Sequence, residues 1–168
     1  PDSQPLRRLR VCLVWVFALL SNIWRHTMTE QDIVHEFSGE FRFLSNFWMH
    51  PFNMAGMTWP TSEHAYQATK ATNWGDITSI LNCSTPGQAK RLGGKINMNP
   101  DFDKLKFGYM TEIVKAKFEN PEMRKLLEAT GDMPLVEGNM WGDKYWGVCL
   151  KTGVGQNNLG IILMNERE

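Results

Sequence analysis

Hydrophobic and polar positions along the chain alternate between short extended runs and helical stretches, and turn residues separate them. HEFSGEF, at residues 35–41, is rich in aromatics and broken by Gly39, so it reads as short β-like pieces. PFNMAGMTW sets Ala55-Gly56 between two short apolar runs, the pattern of a hairpin whose turn needs a residue tolerant of positive φ. Pro60 then stops the strand, and Thr61 or Ser62 can cap a helix through residues 63–72. Ser84 or Thr85, followed by Pro86, starts a short helix that ends at Gly93-Gly94. Leu105, Tyr109, Met110, Ile113, Val114 and Phe118 recur at helical spacing over residues 103–118. Asn120-Pro121 ends that helix, and PEMRKLLEATGD forms another, closed by Gly131. LVEGN and YWGVCL are strand or extended candidates, and GVGQNNLGIILMNERE is a glycine-rich loop feeding a final short helix. The expected fold is α+β: a predominantly helical single domain with a small β-sheet.

The opening segment reads differently. RRLR followed by the ten apolar residues VCLVWVFALL is short of the roughly 20 residues that a membrane-spanning helix needs. It resembles the first parts of a signal peptide, but no small-x-small cleavage site follows Ala18. Residues 1–27 are therefore expected to be an N-terminal extension ahead of Met28, in preference to a helix packed on the domain or an export or membrane-surface signal. The domain itself is expected to span residues 28–168.

Charge and cysteine content narrow the functional classes. Eighteen basic and eighteen acidic residues balance, so no global field favours nucleic acid or membrane, although a local basic cleft is compatible with that balance. Cys12, Cys83 and Cys149 are odd in number and widely spaced, and His26, His35, His50 and His64 lack ligand spacing. Neither a disulfide framework nor a metal site is expected, and no cofactor is implied. A reducing, cytoplasmic setting follows.

Three stretches carry candidate chemistry. In SEHAYQATK, Glu63, Gln67 and Lys70 share an arc of about 60° on a helix, offering a carboxylate, an amide and an ammonium to one ligand. The same spacing also describes the wet side of an ordinary helix. Its other face (Ala65, Tyr66, Ala68, Ala71) is too small and mixed to be an obvious core stripe. In WGDKYWG, Asp143 lies between Trp141 and Trp146, where desolvation can raise a carboxyl pKa toward acid–base use; the pattern alone favours the other reading, a turn flanked by core tryptophans. GVGQNNLG fails the dinucleotide pattern at Asn158 and leaves either a phosphate- or ribose-binding loop or an Asn helix cap. No GxSxG elbow is present.

FSGEF, LSNFW, PF–AG–TWPTSEHAYQATKA, AKRLGG, MTEIVKAKFENPEMRKLLEATGD, LVEGN, WGDKYWG, GQNNLG and LMNER follow one another from about residue 35 to the C-terminus. In that order and spacing they resemble the YbiA-like, or NADAR, N-glycosidase family. The resemblance implies the YbiA-like fold and hydrolysis of the C1′–N bond of a ribosylated heterocycle. Some members act on riboflavin-pathway phosphoribosyl aminopyrimidines, and others release ADP-ribose from guanine in nucleic acid. The implied partner is thus a small ribosyl or ADP-ribosyl substrate, or an ADP-ribosylated nucleic acid.

By motif position, Glu63 resembles the catalytic glutamate and Asp143 the catalytic-site aspartate. Gln67 and Lys70 are then expected to face ribose or phosphate, and Asn46, Arg91 and Asn157 to hold phosphate or hydroxyl groups. Phe47, Phe102 and Trp146 would sandwich the base; some members carry tryptophan where this chain has Phe102. The roles of the two carboxylates stay open, because the sequence does not give their separation. The rival reading is a non-catalytic ADP-ribose or nucleotide-binding module.

Overall fold

The first described strand pair shows why a short polar-apolar run becomes a hairpin. In the computed structural model, which describes residues 33–168, β1 (Phe52–Met54) pairs antiparallel with β2 (Met57–Trp59) in the register Phe52↔Trp59. Ala55 and Gly56 both take positive φ (52° and 74°), the combination that a two-residue type I′ turn needs. Phe52 and Trp59 turn inward, and the strand stops at Pro60 as expected.

The central element is α1 (Ser62–Ala68), capped by Thr61, whose hydroxyl accepts the His64 N–H. It is shorter than the expected 63–72 and, contrary to a one-sided pattern, all seven of its residues are buried. Helices α2 (Trp74–Leu81), α3 (Pro86–Gly93) and α4 (Phe102–Phe118) and strand β2 pack around it. The small side chains of Ala65 and Ala68 let these neighbours approach closely. His64 is part of this packing: its Nδ1 lies 2.8 Å from Thr61 Oγ1 and its Nε2 3.0 Å from the Cys83 carbonyl. Burial lowers its pKa, which suits a neutral structural imidazole.

Helix α2 was not anticipated. Its signal is a cap rather than a stripe: the Asn73 side chain accepts the Asp76 N–H and its amide donates to the Asp76 carboxylate. Thr85 and Pro86 start α3, and Asn120 and Pro121 start α5 (Pro121–Glu128), as the sequence implies. In α4, Met110, Ile113, Val114 and Phe118 are buried as predicted, but Leu105 is exposed. Lys117, one residue off that stripe, is buried instead.

HEFSGEF does not form strands. Gly39–Leu44 is a 3-10 helix, with Gly39 at φ 53°, and among the described residues before it the extended structure is one bridge, Val34 to Leu135. LVEGN and YWGVCL contribute only two residues each to a second sheet, in the order β3 (Gly138–Asn139), β4 (Val148–Cys149), β5 (Val154–Gly155). The expected small sheet is thus two separate ones among the described residues. Helix α6 (Asn158–Arg167) closes the chain against α4 and α5. No helix among the described residues is long and apolar enough to cross a membrane. The expectations for residues 1–27 lie outside the described residues.

Candidate active site

Glu63 has little freedom. Its N–H donates to the Asn46 carbonyl (2.9 Å), its Oε1 accepts the Gln67 amide (2.7 Å), and the residue is 5% exposed. That small exposed part faces a cavity of about 700 Å³. Gln67 and Lys70, the other members of the predicted row, line the same cavity. The arc of polar side chains therefore faces a recessed cavity and not an open helix surface. Burial raises the Glu63 pKa; the Gln67 hydrogen bond and the Lys90 and Lys70 charges pull it back, and Asp143 adds to the rise. A carboxylate so placed is a stronger base than one in water, and it still has partners for its ionised form.

Asp143 stands on the loop between β3 and β4 and also lines the cavity. Its Oδ1 accepts the N–H groups of Tyr145 (2.9 Å) and Trp146 (3.0 Å). Asn139 ties the loop down: its Oδ1 accepts the Gly142 and Asp143 N–H groups, and its Nδ2 donates to the carbonyls of Asp143 and Val148. Gly142, at φ 85°, takes a backbone conformation that other residues resist. The position of Asp143 thus follows from a buried asparagine and a glycine turn.

The aromatic wall is Trp146, Tyr66 and Phe47. Trp146 Nε1–H donates to the Tyr66 hydroxyl (3.1 Å), and the two rings meet edge to face at 5.4 Å. Burial pushes the Tyr66 phenol well up, so it stays protonated. Lys90 Nζ lies 5.6 Å from the centre of the Phe47 ring. Asn46 also lines the cavity, with its amide 3.5 Å from Met110 Sδ.

Three expected site residues do not line the cavity. Arg91 is exposed, because α3 buries Ala89 and Gly93 and a residue two positions from Ala89 points about 200° away. Its neighbour Lys90 lines the cavity instead. Phe102 is buried one layer back, its ring 5.6 Å from Tyr66 and 6.5 Å from Tyr109. The Asn157 side chain is occupied within the fold: it accepts the Glu137 N–H (2.9 Å) and donates to the Leu135 carbonyl (2.8 Å).

Sequence reasoning singled out neither Tyr66, Lys90, Arg42, Trp141 nor Glu137 as lining residues, yet all five face the cavity. Glu137 carried a signal, an acidic residue between an apolar run and Gly138 in LVEGN. Arg42 carried none. Burial, then Asp143, raise the Glu137 pKa to about 7 against the opposing Lys117 and Lys90 charges. Lys117 lies in the core and donates to the Phe43 (2.5 Å) and Ser45 (3.0 Å) carbonyls; burial lowers its pKa to about 7 although Glu137 opposes the shift. Among the described residues no group of three His, Cys, Asp or Glu side chains converges as metal ligands would.

The arrangement offers carboxylates of different environment, ammonium groups and an aromatic wall around one small-molecule-sized space. The NADAR domain family model matches residues 19–168. The N-glycosidase YbiA of Escherichia coli is 37% identical over 150 residues, covering 86% of this chain and 91% of that protein, and the protein of the same name from Shigella flexneri matches to the same extent. A riboflavin biosynthesis protein of Vibrio vulnificus is 32% identical over 155 residues, which cover 90% of this chain and 42% of that longer protein. The NMR structure of the E. coli protein YbiA superposes with a TM-score of 0.72 at 35% identity, covering 85% of this chain and 88% of that one.

Proposed function

The chain belongs to the NADAR family, and from that membership and the cavity around Glu63 we propose that it hydrolyses the C1′–N bond of a ribosylated heterocycle. The observation that carries the reading is a buried glutamate, held by Gln67 and opening onto a cavity that it shares with Asp143 and an aromatic wall. Breaking a C1′–N bond develops oxocarbenium character on the ribose. A carboxylate fixed beside that carbon stabilises the charge without reorganising, and it can take the proton of the attacking water.

Glu63 fills this role. Asp143, oriented by two backbone N–H groups, adds negative potential on the same side and can accept a ribose hydroxyl. Arg42, Lys70 and Lys90 give the cavity the cations that a phosphate needs, and Gln67 holds Glu63 in place. Tyr66, Trp146 and Phe47 offer faces and edges to a planar base. A phosphoribosylated aminopyrimidine matches these features, and relatives named as riboflavin biosynthesis proteins favour it. ADP-ribosyl-guanine is the second candidate, with the aromatic side chain of Trp141, 70% exposed at the rim, available to the part of a longer substrate left outside.

The test offers the purified full chain phosphoribosyl aminopyrimidines, free ADP-ribose and ADP-ribosyl-guanosine DNA, and follows base release by chromatography. Glu63→Gln is expected to cut kcat by roughly 10²–10⁴ while ligand binding persists. A wild type that binds these ligands and releases no base from any of them would make the chain a nucleotide-binding module.

A further inference from the structure

Hydrolysis of an N-glycoside moves two protons, one onto the departing nitrogen and one off the attacking water. Glu63 is suited to the second: burial raises its pKa and makes it a stronger base, while the Gln67 amide and the Lys90 and Lys70 charges support the carboxylate that accepts the proton. Asp143 has Oδ1 already engaged as the acceptor of two backbone N–H groups. The leaving nitrogen still needs a donor. Glu137 lines the same cavity, and its Oε2 is buried without a hydrogen-bond partner. A carboxyl oxygen in that setting is poorly placed to carry charge and well placed to carry a proton.

The backbone holds Glu137 from three sides. Its N–H donates to Asn157 Oδ1 and its carbonyl accepts the Val148 N–H (2.9 Å). Gly147 packs so closely that a Cβ there would overlap the Glu137 carbonyl and stand 3.0 Å from its Cγ. Gly138 is pressed in the same way against the His35 carbonyl. The charged groups acting on the carboxyl are Asp143 and Glu36, which favour its proton, and Lys117 and Lys90, which oppose it. Burial outweighs them all.

We propose that Glu137 is the acid of the reaction, donating its carboxyl proton to the nitrogen of the departing base. The assignment rests on the glycosidase reading. As the C1′–N bond breaks, its electron pair stays on nitrogen, which takes the Glu137 proton and leaves Glu137 as a carboxylate. Water adds to C1′ on the face where Glu63 stands and gives up its proton to the Glu63 carboxylate. Solvent then carries that proton back to Glu137. One water is consumed, and free base and free ribosyl hydroxyl are produced.

The experiment uses the full chain and whichever substrate the wild type cleaves fastest. Glu137→Gln keeps the shape and removes the proton. It is expected to lower kcat by about 100-fold or more with KM changed by less than about threefold. The wild-type kcat should fall above about pH 7, where Glu137 loses its proton, and this falling limb should vanish in the variant. A kcat within about threefold of wild type, or a limb that persists in Glu137→Gln, overturns the assignment. If Glu137→Gln does not fold, Glu137→Asp serves: a carboxyl withdrawn by one methylene should cost roughly tenfold or more in kcat and keep the limb, and wild-type kcat in it overturns the assignment. A wild type inert on every substrate defeats the glycosidase reading itself, whereas an active wild type with an unaffected variant defeats only the role of Glu137.

Discussion

Gly93 and Gln67 meet where α3 crosses α1, and Gly93→Ala tests whether the orientation of Glu63 depends on that crossing. A Cβ on Gly93 would stand 2.9 Å from both Cβ and Cδ of Gln67 and overlap its Oε1. Carbon atoms pack best at about 3.5–4.0 Å, so something must move. Gln67 is 3% exposed and packed against Gly93, so the amide can yield only toward the cavity that it lines, away from its place beside Glu63. Overpacking of this kind costs about 1–3 kcal/mol. Displacing the amide also weakens its 2.7 Å bond to Glu63, where a hydrogen bond to a charged group contributes about 1.5–3 kcal/mol. Partial loss of the second added to the first gives about 2–4 kcal/mol, or a fall in Tm of roughly 5–15 °C for a domain of this size. Glu63 would lose a group that favours its charge, so kcat should fall by about tenfold or more at neutral pH. Gly94→Ala is the control. Gly94 has φ −80°, and its added Cβ would meet nothing nearer than 3.6 Å, so its stability should change by less than about 0.5 kcal/mol. Thermal melts and steady-state kinetics on the two variants decide the matter. If Gly93→Ala melts and turns over like Gly94→Ala, the crossing does not hold Glu63.

Two further outcomes follow from the buried polar groups. Asn157→Ala removes both clamps on residues 135–137 and leaves alanine at φ 54°. It should cost about 2–4 kcal/mol in urea denaturation with KM nearly unchanged; a raised KM at full stability would instead return Asn157 to ligand binding. Lys117→Met probes a pH effect. Lys117 titrates near 7 in the fold against 10.5 in its unperturbed state. Between those values the unfolded chain binds more protons, so this lysine makes stability rise with pH. Glu137 acts oppositely below that window: its folded value of about 7 lies above 4.5, so stability falls from pH 4.5 to 7. The stability of wild type relative to Lys117→Met should therefore grow by on the order of 2 kcal/mol from pH 7 to 9 in denaturant titrations. A difference independent of pH would show that the lysine is not buried as a charge.

Local chemistry made much of this fold legible. Caps and breakers at Thr61, Thr85-Pro86 and Asn120-Pro121 act within a few residues, so they mark helix starts in the sequence and in the structure alike. The Ala55-Gly56 turn and the buried stripe of α4 are legible for the same reason. The 3-10 helix at Gly39–Leu44 and the split of the strands into two sheets were not, because both depend on partners far along the chain. In α2, aromatic and polar residues hid a helix that only its Asn73 cap announced.

The spacing of Glu63, Gln67 and Lys70 determined that these three side chains share one face, because a helix turns about 100° per residue wherever it lies. Spacing alone could not say what that face meets. Packing of α2, α3, α4 and β2 around seven residues decided it, and placed the row against a cavity rather than solvent. Packing also brought Glu137 to the cavity from 74 positions further along, through close approaches at Gly138 and Gly147 that need the absence of a side chain. One helical step chose Lys90 over Arg91. Residue types and their order thus determined the available chemistry, whereas burial, which comes from contacts between distant segments, decided which groups meet and what charge they carry.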